Sequence, residues 1–166
     1  MRSNSRRATP PPLLPAILVL LAPAIGLAKP HCSDTLPPAV AKLVHERFSD
    51  GHIVSKKDRK IGCPGIARVD FYGDGRTVLA ISIKTGDDGQ LLLAEKDGSG
   101  WKLSPLQSAR GASMAVWFGK AGKYESVYGE KSFTSKGDVI LYFDGESATI
   151  AYGWTGAAIE KVWTSD

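Results

Sequence analysis

The stretch Cys63–Ile83, CPGIARVDFYGDGRTVLAISI, decides the fold expected for this chain. Apolar and β-branched residues lie on both sides of Gly73-Asp74-Gly75, which indicates two strands around a tight turn. Glycine favours such turns because it adopts positive φ angles at little steric cost. The stretch therefore predicts an antiparallel hairpin at the centre of the domain.

The segments that follow continue the β pattern. Predicted strands separated by turn signals cover 66–71, 77–84, 90–96, 101–103, 114–118, 138–143, 147–153 and 158–163. Residues 105–112 are predicted to form a loop. Leu91–Ala94 is apolar throughout, which is typical of a central strand covered on both faces. Short strands at regular spacing indicate an antiparallel meander.

One helix is predicted ahead of these strands. Thr35 is a candidate cap, Pro37-Pro38 suits the first turn, and Ser49-Asp50-Gly51 ends the helix. Its apolar residues recur every three or four positions and form one face: Leu36, Val40, Leu43, Val44 and Phe48. We expect an α+β fold that is mainly antiparallel β, with one N-terminal helix packed on a meandering sheet.

Residues 1–28 have the features of a secretory signal peptide. Three arginines precede the apolar run Leu13–Leu21, and Gly26-Leu27-Ala28 suits cleavage before Lys29. The run is shorter than the roughly 20 residues that span a bilayer, so no membrane anchor is expected after cleavage. Residues 29–166 are predicted to form a single exported β-rich domain, located in the periplasm or outside the cell.

Cleavage changes the charge of the chain. The full sequence has 21 basic and 17 acidic side chains. Without Arg2, Arg6 and Arg7 the count is 18 against 17, a net charge of +1. Lys56–Lys60 is the one basic run, and we interpret it as a solvated loop. No nucleic-acid partner is expected, because such a partner requires a basic face.

Cys32 and Cys63 are the two cysteines of the chain. In an exported protein an even pair predicts a disulfide, here between the N-terminal segment and the start of the central hairpin. Closing a loop of this length contributes about 3–4 kcal/mol in the chain-entropy account. Two separate thiols, or a metal pair with His31, are the alternatives.

The turn at Gly73–Gly75 also resembles a cation loop. Calcium loops place oxygen ligands at alternate positions around a glycine, and Asp70, Asp74 and Gly75 occupy the first, fifth and sixth places. Tyr72 stands at the third place, where a carboxylate is expected. Asp70 and Asp74 are therefore candidate calcium ligands. The alternative is that Asp70 caps the turn and Asp74-Gly75 forms the bend.

This stretch resembles one unit of the FG-GAP/VCBS-like repeats of integrin-type propellers and exported bacterial proteins. Six residues carry the likeness: Asp70, Gly73, Asp74, Gly75, Leu79 and Ala80. The resemblance implies a loop between strands that binds calcium. Together with Cys63-Pro64-Gly65, Gly122–Glu125 and Val162–Asp166, the stretch also resembles small exported bacterial proteins of unknown function, which implies location and a β-rich domain but no activity.

Motifs for catalysis are weak. His31, His45 and His52 have no spacing typical of a helical zinc site. Gly111–Ala115 resembles a nucleophile elbow without the closing glycine. Paired carboxylates for glycoside cleavage are defined by distance in space, and the sequence does not point to a pair. No catalytic residue and no cofactor other than calcium is expected.

Aromatic residues favour a binding role. One open sheet face could present several rings, and the alternative is that most of them fill the core: Trp101, Trp117, Tyr124, Tyr128, Tyr152 and Trp154. The hypothesis is a non-catalytic exported domain that recognises a protein or glycan of the cell envelope. A calcium-stabilised adhesion-like module, an unrecognised hydrolase and a hydrolase inhibitor are the alternatives.

The leader and the cysteine pair give the first testable prediction. Protein expressed with its leader in an exporting bacterium is expected to begin at Lys29 and to contain no free thiol before reduction. Intact mass with and without reductant and alkylation measures both. Two alkylated cysteines in the unreduced, exported protein would contradict the disulfide.

Overall fold

The computed structural model describes residues 35–55, 64–110, 115–143 and 149–164. Several predictions lie outside these ranges: the leader at 1–28, His31, Cys32, Cys63, the basic run 56–60 and most of the segment 111–115.

The described chain contains one helix followed by eleven strands. Helix α1 is Pro38–Arg47. The strands are β1 (His52–Ile53), β2 (Ile66–Val69), β3 (Val78–Thr85), β4 (Asp88–Asp97), β5 (Gly100–Arg110), β6 (Ala115–Gly119), β7 (Lys123–Glu125), β8 (Ser132–Thr134), β9 (Val139–Phe143), β10 (Thr149–Trp154) and β11 (Ile159–Thr164). The prediction of mostly antiparallel β structure with one short helix is confirmed.

The strands form two larger sheets and one hairpin, all antiparallel. In the first sheet, β4 pairs with β3 and β5, and β1 and β2 pair with different parts of β3. The second sheet has the order β11-β10-β9-β6, and β7 pairs with β8. The predicted central hairpin is β2–β3, with Val69 opposite Val78 next to the turn.

Three apolar clusters join these layers. The inter-sheet core includes Val69, Phe71, Leu91, Ile140, Tyr142 and Tyr152. The helix–sheet core includes Val40, Val44, Leu79, Ile81, Leu92 and Ala94. The hairpin core includes Phe133, Val139, Ala151 and Val162, on the other face of the second sheet. Residues on one face of the first sheet therefore share an apolar cluster with residues of α1, and residues on the other face share one with the second sheet.

Strand β4 shows why the predicted central strand is apolar throughout. Leu91 and Leu93 belong to the inter-sheet core, whereas Leu92 and Ala94 belong to the helix–sheet core. Successive side chains of a strand point to opposite faces, so a strand covered on both sides needs apolar residues at every position. The prediction for this strand is confirmed.

Two local predictions are wrong. Residues 105–110 belong to the edge strand β5 rather than to a loop, and the strand accommodates exposed Pro105 beside a register shift opposite Leu91 and Leu92. Proline is tolerated on an edge because the missing N–H is not needed there.

Helix α1 has Pro37 rather than Thr35 at its N-cap, with no side-chain capping bond. Pro38 at the first helical position has no N–H to satisfy and has its φ preset for the helix, so the helix begins without a hydroxyl cap.

None of the helices in the described ranges has the length and apolar character needed to cross a membrane.

The close approach of Gly137 to the central turn generates a stability prediction. A Cβ at position 137 would lie 2.5 Å from the carbonyl oxygen of Phe71 and against backbone atoms of Asp70 and Gly73. Gly137→Ala must displace backbone, so we expect the free energy of unfolding to fall by about 1–3 kcal/mol. Urea denaturation measures this change. Gly122→Ala is the matched control because its Cβ meets no atom within 4 Å. Equal loss in both variants would contradict the prediction.

Candidate functional site

The carboxylate of Asp70 closes the Gly73–Gly75 turn. Its Oδ1 accepts hydrogen bonds from the backbone N–H groups of Asp74 and Gly75, both at 3.1 Å. Gly73 and Gly75 have φ angles of 71° and 82°, which favour glycine. Asp138 ties the loop to β9, because its N–H donates to the Asp70 carbonyl at 2.8 Å. The turn interpretation of Asp70 is confirmed.

Asp74 orients Arg76. Its Oδ1 accepts from the Arg76 backbone N–H at 3.0 Å, and its Oδ2 accepts from the Arg76 Nε at 2.8 Å. These hydrogen bonds from Arg76 hold the pKa of the Asp74 carboxyl below its usual range. The pair is exposed to solvent and contributes little to stability. The effect of the pair is to fix the orientation of the Arg76 guanidinium.

The calcium hypothesis for Asp70 and Asp74 stays a prediction. Calcium takes six to eight oxygen ligands, and a bound ion would compete with the loop N–H groups and Arg76 for these two carboxylates. Within the described ranges, no group of three or more His, Cys, Asp or Glu residues is arranged to hold a metal ion.

Tyr72 links Arg76 to the first sheet. Its hydroxyl donates to Glu95 Oε1 at 2.6 Å, and the Arg76 guanidinium lies 5.7 Å from its ring centroid. Trp154 contacts the same ring edge-on at 5.5 Å. Burial and the hydrogen bond to Glu95 raise the pKa of Tyr72 to about 12. The phenol is therefore neutral at physiological pH and acts as a hydrogen-bond donor.

Tyr72, Arg76 and Glu95 line a cleft at the end of the first sheet. The cleft, called here the Trp101 cleft, has a volume of about 640 Å³. Its lining comprises Pro37, Arg68, Tyr72, Arg76, Thr77, Val78, Glu95, Lys96 and Trp101. It therefore combines three cationic side chains and one carboxylate with two aromatic rings.

Trp101 is placed in the cleft by the register of β4 and β5. It lies directly opposite Lys96, and its partly buried ring packs against the helix–sheet core. The same ring also lines a smaller cleft of about 320 Å³ between α1 and β5. There Arg47 donates from Nη1 to the carbonyl oxygen of Leu103 at 3.1 Å. Trp101 thus packs against the core and also lines two clefts.

Three of the predicted binding aromatics serve the interior. Tyr152 is buried in the inter-sheet core, and Trp154 packs against that core beside Tyr72. Tyr124 stacks on Phe133, with ring centroids 5.7 Å apart, and packs against the hairpin core. For these residues the core alternative is correct, because the second sheet is also covered on both faces.

The remaining aromatics lie on separate surfaces. Trp117 on β6 is 39% exposed, and Tyr128, between β7 and β8, is 83% exposed. Trp101 is on β5, in the other sheet. The structure therefore does not bring the predicted rings onto one sheet face, and only Trp101 among them lines the Trp101 cleft.

The histidine positions add no catalytic group to the cleft. His45 and His52 are exposed, and neither lines it.

The sequence analysis did not identify Arg68, Arg76 and Lys96 as site residues. The alternation of side chains along β2 and β4 could have indicated two of them. Arg68 and Lys96 lie on the same face of their strands as the apolar residues of the helix–sheet core, just beyond the last of these residues.

No known protein family, no curated protein and no solved structure matches this chain. The likeness to FG-GAP/VCBS-like repeats and to small exported bacterial proteins stays a prediction.

Tyr72 generates a prediction on pH. Its pKa is 10.0 without burial and about 12 in the folded protein, so folding favours the neutral phenol. The stabilisation is complete below pH 10 and is lost as pH rises from 10 to 12, because the unfolded state releases its proton first. We expect the free energy of unfolding of Tyr72→Phe to fall less steeply over this window than that of the wild type. Urea denaturation at several pH values measures the slopes.

Exposed Tyr128 supplies the matched control for this experiment. Tyr128→Phe is expected to keep the wild-type slope, while burial of Tyr142 and Tyr152 contributes equally to all three proteins. A Tyr72→Phe slope identical to that of the wild type would contradict the assignment.

Proposed function

We propose that this chain is an exported, non-catalytic recognition domain that binds a glycan of the cell envelope in the Trp101 cleft. The leader-like residues 1–28 and the cysteine pair Cys32 and Cys63 support a periplasmic or secreted location. In this proposal residues 29–166 form one domain, with its N-terminal helix packed on the meander β2–β5. The cluster shared by Val40, Val44 and the first sheet supports that packing.

The observation that carries the proposal is the placement of Trp101. Its indole is partly buried by the helix–sheet core and partly open to a cleft lined by polar side chains. An aromatic ring anchored in this way offers a rigid apolar surface beside hydrogen-bonding groups. The flat apolar face of a sugar ring and its surrounding hydroxyls suit that combination.

A second group of side chains in the cleft is pre-organised for binding. Asp74 holds Arg76, Arg76 lies over Tyr72, and Tyr72 donates to Glu95. Side chains that are already held in place lose little conformational entropy when a ligand binds.

A protein ligand is the alternative occupant, and the half-exposed Trp101 suits a protein interface as well. We favour a glycan because the cleft places the Trp101 ring beside several hydrogen-bonding side chains. A calcium-stabilised adhesion-like module, a hydrolase and a hydrolase inhibitor stay alternatives that the cleft does not specifically favour.

Substitution of Trp101 tests the proposal. Isothermal titration with short neutral oligomers of glucose, N-acetylglucosamine and mannose, and with acidic oligomers of the uronic acids, identifies the best ligand. Trp101→Ala is expected to weaken that binding by about tenfold or more, because an anchoring aromatic residue is lost. Trp101→Phe keeps a ring in the core and is expected to retain part of the affinity.

Trp163→Ala is the matched control, since Trp163 is half-exposed on the edge strand β11 and does not line the cleft. Circular dichroism verifies that each variant is folded. Failure of every oligosaccharide to bind, or equal binding by folded Trp101→Ala and wild type, would overturn glycan recognition. Trp101-dependent binding of a purified envelope protein instead would establish the protein alternative.

A further inference from the structure

The Trp101 cleft contains more positive charge than its own contacts neutralise. Arg68, Arg76 and Lys96 line it, against the single carboxylate of Glu95. Arg76 is paired with Asp74, just outside the lining. Arg68 and Lys96 are left, and neither forms an ion pair with any residue of the described ranges.

Lys96 is an exposed residue that lies beside Trp101 in the sheet. It follows Leu92 and Ala94 on the side of β4 that faces the helix, and it lies opposite Trp101 on β5. Directly opposed side chains of antiparallel strands have Cβ atoms about 5 Å apart. An anion bound to the Lys96 ammonium would therefore be in contact with a ligand stacked on Trp101.

Arg68 provides the second cationic group. It lies on β2, opposite Leu79, and donates from Nη2 to the carbonyl oxygen of Thr35. This bond to a neutral acceptor uses one N–H of the five that a guanidinium carries, so the charge and the other donors stay available. A planar guanidinium held in place suits the paired oxygens of a carboxylate.

The strand order sets the spacing of these groups. Arg68 is on β2 and Lys96 on β4, with β3 between them and Trp101 on β5 beyond Lys96. Arg68 is level with Leu79 and Ala94, whereas Lys96 is level with Trp101, two residues further along the strands. Two strand spacings and two residues together separate the Cα atoms of Arg68 and Lys96 by roughly 12 Å. This diagonal separation fits an extended ligand that carries a negative group on more than one ring.

We propose that the glycan is acidic and that Arg68 and Lys96 bind the carboxylates of its uronic acid residues while one ring stacks on Trp101. This inference rests on the proposed function. Single-stranded nucleic acid also combines anionic groups with flat rings, but such ligands require a longer cationic track than two unpaired side chains.

The test compares each acidic oligosaccharide with its own neutral form. Oligomers of galacturonic, glucuronic and mannuronic acid are titrated into the full mature protein beside their methyl esters, which remove the charge and keep the sugar. We expect at least one acid to bind, with affinity about tenfold or more above its ester and decreasing as salt is added. Equal binding of acid and ester would overturn the acidic ligand and leave glycan recognition standing.

Lys96→Glu and Arg68→Gln locate the carboxylate contacts. Both are expected to weaken binding of the acid by about tenfold or more, and to weaken binding of the ester much less. Lys84→Glu is the control with the same charge reversal, because Lys84 lies at the other end of β3, opposite Gly89, and does not line the cleft. Equal losses in Lys84→Glu and Lys96→Glu would overturn the assignment.

Two further outcomes separate this inference from the proposed function. Binding of neutral oligomers alone would overturn the acidic ligand only. Binding of an unrelated single-stranded oligonucleotide with the affinity of the best uronic acid oligomer would show general attraction to anions and would also overturn it. Absence of binding to every sugar, acidic or neutral, would overturn both proposals.

Discussion

Burial of β3 and β4 on both faces is the constraint on which the structure depends. Val78–Ile83 is buried at every position, with alternate side chains in the two cores on either side of the sheet. Removing either covering layer would expose a continuous apolar face, since the first sheet has no polar face in its centre. The apolar clusters on both faces are therefore needed to keep the central strands out of water.

The ends of this sheet are free of that constraint, and polar groups gather there. Arg68 and Lys96 continue the columns of residues that face the helix, just beyond the last apolar side chains. Trp101 belongs to both environments, because its ring contacts the core and lines the cleft. A ligand site at this place uses rigid strands as its support, which favours a fixed geometry over an induced one.

The Gly73–Gly75 turn connects fold and site. Asp70 closes the turn between the two strands of the central hairpin, and Asp74 within the same turn directs Arg76 over Tyr72. Gly137 allows the turn to approach β9 closely, since a Cβ there would collide with backbone. One short loop therefore sets the hairpin, contacts the second sheet and shapes a wall of the cleft.

The sequence by itself determined the features that depend on local chemistry. Alternating apolar residues and glycine turns predicted the strands, the apolar run Leu91–Ala94 predicted a strand covered on both faces, and Asp70 was correctly interpreted as the group that closes the turn. The wrong prediction at Pro105 also has a local cause. Pro105 was interpreted as a loop residue, but a proline on an edge strand breaks no hydrogen bond that the sheet needs.

Only the tertiary structure decided which rings are buried and which side chains meet. Tyr152 and Trp101 are both aromatic residues of predicted strands. Tyr152 is buried in the inter-sheet core, whereas Trp101 lines the cleft. Arg68, Arg76 and Lys96 come from three separate segments, and their proximity depends on how β2, β3 and β4 pair. The glycine turns predict that neighbouring strands pair, but the register of that pairing decides which side chains meet, so the cleft emerges only once the sheet has formed.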